Sequence, residues 1–160
     1  MDPHRSKILS IAELNPVLEK ARAGGKKVVF TNGCFDILHR GHVYYLERAR
    51  SLGDLLVVGL NSDASVTRIK GPGRPVFCEL DRAQVLSSLT SVDFVVIFDE
   101  DTPLQLIERI RPDVLVKGGD WREDDIVGAK EVKQWGGTVV TIDYLKGYST
   151  SRIIEALRKS

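Results

Sequence analysis

The sequence predicts an α/β fold: an open, doubly wound, five-stranded parallel sheet with helices on both faces. Three observations predict it. Short β-branched runs recur at 27–32, 54–61, 93–98, 113–117 and 137–142; segments with helical character separate them; and the run at 54–61 is almost continuously apolar, as in strands buried on both faces.

Each element follows from local chemistry. Ser10 and Glu13 have capping-box spacing, so a first helix starts there and Gly24 and Gly25 stop it before the first strand. Residues 1–25 thus read as an N-terminal helical extension of a single domain covering 1–160. Apolar residues at 43, 46, 49 and 52 predict a helix that Gly53 ends. Residues 61–76 read as a loop, with turn formers and two cations between Lys70 and Val76. Further helices are expected at 79–89, at 102–110 with Pro103 in the first turn, at 124–135 and at 149–158. Ligands of such sheets bind beyond the carboxyl ends of the strands, which directs attention to loops 32–42, 61–76, 117–123 and 146–152.

Composition narrows the function classes. With 160 residues and 42% hydrophobic content, the chain has the size and composition of one domain with its own core. Lys plus Arg total 23 against 22 for Asp plus Glu, so the +1 balance gives no broad basic surface for nucleic acid or anionic lipid. Any phosphate binding must be local. Cys34 and Cys78 lack CxxC spacing, which argues against a zinc ribbon or a disulfide scaffold and fits a reducing, cytoplasmic setting. No apolar stretch approaches bilayer length, and residues 1–7 lead into no signal-peptide core, so a soluble, unprocessed protein with no membrane partner is expected.

The most informative run is Thr31-Asn-Gly-Cys-Phe-Asp-Ile-Leu-His-Arg-Gly-His42, which holds two of the three histidines at a strand-to-helix junction. Free N-terminal amides and the positive helix end can hold an anion there. In HxGH, Gly41 permits close approach of a phosphate, and His39 and His42 lie on one side of the first turn. The alternative is a pair of helix-capping histidines. The signatures GxxxxGK[ST], GxGxxG, GxSxG and HExxH are absent. Cys34, His39 and His42 are metal ligands by type, but no fourth residue stands at ligand spacing, so no metal site is expected.

Three more segments carry chemistry. Ser149-Thr150-Ser151-Arg152 reads as an N-cap whose hydroxyls and amides can also receive an anion. Lys117-Gly118-Gly119-Asp120-Trp121 offers close backbone approach to a base or ribose, or is an ordinary turn. Asp36 is placed to orient its loop, to bind the acceptor or to help hold Mg²⁺, or it forms an Asx turn. Asn61 and Asp63 read as a helix cap, and Cys34 as packing or site lining rather than a nucleophile.

These strings, with Asn61-Ser-Asp-Ala-Ser-Val66 and Lys70-Gly-Pro-Gly-Arg-Pro75, resemble the nucleotidyltransferase superfamily of glycerol-phosphate and phosphocholine cytidylyltransferases and pantetheine-phosphate adenylyltransferase. Over about residues 8–158 the chain resembles the adenylyltransferases of ADP-heptose synthesis. The resemblance implies a Rossmann-like HxGH fold and adenylyl transfer from ATP to D-glycero-β-D-manno-heptose 1-phosphate, for heptose units of lipopolysaccharide core or other surface glycans. It implies catalytic roles for His39, His42 and Lys70. Nucleotide contacts are implied for Thr31, Asn32, Gly33, Cys34, Phe35, Gly41, Lys117, Gly118, Asp120, Tyr148, Ser149, Thr150, Ser151 and Arg152. Substrate contacts are implied for Asp36, Arg74, Arg82 and Trp121, although Arg82 also reads as a helix-surface salt bridge. Mg²⁺ is expected to arrive with ATP, a homodimer is implied, and a separate heptose kinase would act in the same pathway. The alternatives are a cytidylyltransferase acting on a small alcohol phosphate such as glycerol 3-phosphate, and a non-catalytic nucleotide sensor.

Overall fold

The computed structural model describes residues 7–159. Five parallel strands, β1 (Val28–Gly33), β2 (Leu55–Asn61), β3 (Phe94–Phe98), β4 (Val114–Gly118) and β5 (Thr138–Ile142), form one sheet in the order β3-β2-β1-β4-β5. Their bounds lie within one residue of the runs read from sequence. The chain winds outward from β1 through β2 to β3, then returns to place β4 and β5 on the other side of β1. That reversal opens a crevice beyond the carboxyl ends of β1 and β4, where doubly wound sheets take their ligands.

Strand alternation divides the core into two clusters, one on each face. Val28, Phe30, Val57, Leu115 and Val139 pack with α1 (Ile11–Ala23), α5 (Leu104–Ile110) and α6 (Ala129–Gln134) through Leu14, Leu18, Leu106, Ile107, Ile110 and Val132. Val29, Leu56, Val58, Leu60, Val95 and Val116 pack with α2 (Arg40–Arg50) and α4 (Glu79–Ser87) through Tyr45, Leu46, Ala49, Ala83 and Leu86. The α1 helix has the expected Ser10–Glu13 capping box, and its Leu14 and Leu18 are buried in the core, so it is built into one face of the sheet. Aspartates just before β2, β3 and β4 tie neighbouring strands at their amino ends. The carboxylates of Asp54, Asp93 and Asp113 accept from the backbone N–H of Lys27, Leu56 and Val28 at 2.7–2.8 Å.

The structure departs from the sequence reading at several points. Residues 61–76 are not one loop: Ser62 caps a helix, α3 (Asp63–Lys70), by accepting from the Ser65 N–H. The cap is therefore Ser62 rather than Asn61 or Asp63; Asn61 donates to the Ser65 hydroxyl and Asp63 pairs with Arg82. The helix expected over 124–135 is a 3-10 turn at Glu123–Asp125 followed by α6, because Gly128 takes φ +85° and a β-carbon there would meet Ile107 Cδ1 at 2.6 Å. Pro103 stands at the N-cap of α5 rather than inside its first turn. The motif helix begins at Arg40 and ends at Arg50, earlier than the apolar spacing indicates. The last helix, α7 (Thr150–Arg158), is capped by Ser149, whose side chain accepts from the Arg152 N–H.

Candidate active site

Beyond the carboxyl ends of β1 and β4 lies a cavity of about 580 Å³, within the usual size of a small-ligand site. Its centre is the turn from β1 into α2. His39 is the N-cap of α2 and His42 sits one turn in, and their rings stack at 3.8 Å between centroids with 23° between planes. Phe35, held at φ +43°, sets its ring edge-on to His42 at 5.2 Å.

Backbone hydrogen bonds fix which imidazole nitrogen faces a ligand. The Gly41 N–H donates to His39 Nδ1 at 3.1 Å, and the His39 N–H donates to His42 Nδ1 at 3.4 Å. With Nδ1 accepting, a neutral ring carries its proton on Nε2, so each histidine offers one N–H donor. Capping and ligand binding thus use opposite edges of the same rings. Burial, with His39 as a lesser cause, pushes His42 down to about 4, and burial lowers His39 below the usual histidine range. Both are neutral donors at pH 7.

This depression has a consequence for stability. Above pH 6.5 both folded and unfolded chains carry neutral histidines; as pH falls from 6.5 toward 4, the unfolded chain takes up a proton at position 42 that the folded chain refuses. Stability should decline across that window, by roughly 1–2 kcal/mol once screening of a part-exposed ring is allowed for. His42→Asn should flatten the slope in urea titrations at pH 7.0 and 4.5, and an unchanged slope would refute the depressed value.

Positive charge comes from Lys70, at the end of α3, and Lys117, at the end of β4. Both line the cavity, and neither has an ion-pair partner among the described residues. Burial, with help from the Lys70 charge, lowers the Lys117 ammonium, while burial raises the Cys34 thiol against the pull of Lys70, Arg82 and Arg74. Two unpaired cations beside two neutral N–H donors make a strong anion site. The α7 terminus adds the Thr150 and Ser151 amides, which as first-turn donors lack helical partners.

Most residues singled out from sequence meet here. Asn32, Gly33, Cys34, Phe35, Asp36, His39, Gly41, His42, Lys70, Arg74, Lys117, Gly118, Tyr148, Ser149, Thr150 and Ser151 line the cavity. Thr31, Arg82, Asp120, Trp121 and Arg152 do not. Thr31 is fully buried and shares a 2.6 Å hydrogen bond with the Tyr45 hydroxyl. Arg82, only 2% exposed, donates to the carbonyls of Phe77, Cys34 and Asn61 and pairs with Asp63 at 2.7 Å. It is neither a surface salt bridge nor open to a phosphate. Trp121 is exposed and lies 5.8 Å from Lys117 Nζ across its ring.

Asp36 and Arg74 form a pair that organises the loop after α3. Arg74 Nε lies 2.7 Å from Asp36 Oδ2, while Oδ1 accepts from the Val76 and Phe77 N–H groups. Through both carboxylate oxygens Asp36 orients this loop, and it also lines the cavity. Among the described residues no group of three or more His, Cys, Asp or Glu is placed to hold a metal ion.

Sequence reasoning missed one cavity wall: Asp101, Thr102 and Pro103 after β3, Ile126 and Val127 before α6, and Tyr144 after β5. The Tyr144 ring lies over the glycine pair, where a β-carbon on Gly118 or Gly119 would come within 2.7 Å of it. The signal for Asp101–Pro103 and Tyr144 was available, since every carboxyl-end loop of a doubly wound sheet is a candidate and the loops after β3 and β5 begin at 99 and 143.

Such a switch-point cavity, with an HxGH turn and a second helix terminus facing it, is an arrangement suited to holding an anion on a parallel α/β sheet. The chain belongs to the cytidylyltransferase-like family, whose model matches residues 30–156. It is similar to the bifunctional protein HldE of Syntrophotalea carbinolica, 57% identical over 152 residues that cover 95% of this chain and 31% of that protein. The protein of the same name from Campylobacter concisus is 60% identical over 152 residues, with the same coverage. The chain spans about a third of the length of these curated relatives. Among solved structures, a lipopolysaccharide core biosynthesis protein from Thermoplasma volcanium aligns with TM-score 0.63 and 31% identity, covering 78% of this chain and all of that one. Pantoate-beta-alanine ligase from Francisella tularensis, 14% identical at TM-score 0.59 over 94% of this chain and 76% of its own, shares the fold.

Proposed function

We propose that this chain transfers the adenylyl group of ATP to D-glycero-β-D-manno-heptose 1-phosphate, giving ADP-heptose and pyrophosphate. The observation that carries nucleotidyl transfer is the stacked His39–His42 pair, each Nδ1 held by a backbone N–H, with two lysines in the same cavity that have no ion-pair partner among the described residues. The sugar and the base are supported by similarity to the HldE proteins and to the lipopolysaccharide core biosynthesis protein.

A phosphate oxygen of the sugar attacks the α-phosphorus of ATP, and the bond from that phosphorus to the oxygen bridging to the β-phosphorus breaks. The acceptor oxygen is already anionic, so no general base and no covalent protein nucleophile is needed. Catalysis reduces to alignment and to stabilising charge that builds on non-bridging and leaving oxygens. His39 and His42 donate to those oxygens, Lys70 and Lys117 neutralise them, and the Thr150 and Ser151 amides receive the departing pyrophosphate. Asn32, Gly33, Cys34, Phe35, Gly41 and Gly118 shape the nucleotide walls. A Mg²⁺ arriving with ATP would be held mainly by the triphosphate rather than by protein side chains, and would supply charge neutralisation there.

Incubating the protein with ATP or CTP and with heptose 1-phosphate or glycerol 3-phosphate, and measuring pyrophosphate, tests the reading. Pyrophosphate is expected from ATP with the heptose phosphate. Release only with CTP would replace the proposal with a cytidylyltransferase, and release from no pair would favour a nucleotide sensor. The same reading carries a homodimer, a separate kinase supplying the sugar phosphate and a cytoplasmic setting. Among the described residues no helix is long and apolar enough to cross a membrane.

A further inference from the structure

We propose that Tyr148 is the positioning residue for His39: its ring stacks with the His39 imidazole, which in turn stacks on His42, and it joins the two phosphate-binding segments into one unit. The inference rests on the proposed nucleotidyl transfer for its meaning, while its geometry stands apart from it. Three contacts carry it. The Tyr148 ring lies 6.3 Å from that of His39 at 25° between planes, within the range for offset aromatic pairs, so that Phe35, His42, His39 and Tyr148 form a continuous ladder of rings. Arg40, the first residue of α2, also holds Tyr148: its guanidinium sits 5.8 Å from the ring centroid and Nη1 donates to the phenol oxygen at 3.4 Å. Two residues on, the Thr150 hydroxyl donates to the Ile37 carbonyl at 3.4 Å, fastening the start of α7 to the loop before His39.

Gly41 shows how closely the two segments approach. A β-carbon there would stand 2.9 Å from His39 Cε1, 3.0 Å from His39 Nδ1 and 3.0 Å from Tyr148 Cβ, so glycine is required for the imidazole and the tyrosine to close on the same backbone. α7 has no buried residue of its own, and these contacts with the HxGH turn register its N-terminus against the histidines. A donor displaced by about 1 Å can cost on the order of 100-fold in rate, which is the scale on which a clamp of this kind acts.

Nucleotide turnover and NMR of the histidine nitrogens test this together. Tyr148→Ala is expected to lower kcat by roughly 10- to 100-fold with a smaller change in KM for ATP, and to let the His39 ring rotate, so that its nitrogen signals pass from a single Nε2–H form to a mixture. Tyr148→Phe keeps the ring and loses only the Arg40 hydrogen bond, and should fall between, within about 5-fold of the parent in kcat. A Tyr148→Ala protein that keeps the single Nε2–H form, or whose kcat stays within about 2-fold, would overturn the proposal. If the parent chain released no pyrophosphate from any substrate pair, the functional reading would fail, and the nitrogen signals would still decide whether Tyr148 fixes His39.

Discussion

Replacing His42 with alanine is expected to lower kcat for pyrophosphate release by roughly 100-fold or more, with KM for ATP changing far less, and His39→Ala should behave alike. Both rings are neutral at pH 7 and keep Nδ1 engaged with backbone N–H groups, so each has one directional donor left for the phosphates. A donor aimed at charge that appears only in the transition state contributes to kcat; one that met the ground state equally well would appear in KM. His42 carries a second burden, because its ring is stacked on His39 and meets Phe35 edge-on. Alanine there removes a wall as well as a donor, so His42→Asn is the cleaner probe: its amide can still accept from the His39 N–H. Asparagine restoring most of the rate would assign His42 to local structure, and loss in both variants with unchanged melting temperature would assign it to the reaction.

How far the sequence reveals this site depends on the range of the interactions involved. The five strands are legible because burial on both faces demands unbroken apolar runs, and HxGH is legible because a strand-to-helix turn packs its chemistry into four consecutive residues. The Ser10 and Ser149 caps are equally local. What escapes is set by partners distant in sequence. Arg82 stands open between a phosphate contact implied by the resemblance and a helix-surface salt bridge until its guanidinium is seen to reach Cys34 and Asn61, 48 and 21 residues away. Asp36 leaves loop orientation, acceptor binding, help with Mg²⁺ and an Asx turn open in the sequence, because its contacts with Arg74 and the Val76 and Phe77 amides are made only in the fold. The α3 helix was hidden by its short length and by the glycine and proline residues that follow it, and Ser62, its actual cap, stands between two residues that looked more suited to the role.

Arg82→Ala should be the most destabilising single change in the site region, costing about 3 kcal/mol or more and lowering the melting temperature by roughly 6–12 °C for a chain of this size. Arg82 is 2% exposed, and its four side-chain contacts gather the end of β2, the start of α3, the loop after β1 and the turn into α4 at one point. Alanine leaves the Cys34 and Asn61 carbonyls facing a void without their donor, while Asp63, 42% exposed, can turn to water. The cost therefore comes mainly from the stranded carbonyls, and the ion pair is the smaller part. Lysine can satisfy some of the acceptors but cannot reproduce a planar fork reaching in several directions, so Arg82→Lys should recover only part of the loss. Because Cys34 and Asn61 both line the cavity, catalytic defects in these variants should track the fraction unfolded and shrink on cooling or with added ATP. A variant that melted normally yet bound ATP or sugar phosphate weakly would reverse the assignment and restore Arg82 as a direct phosphate contact.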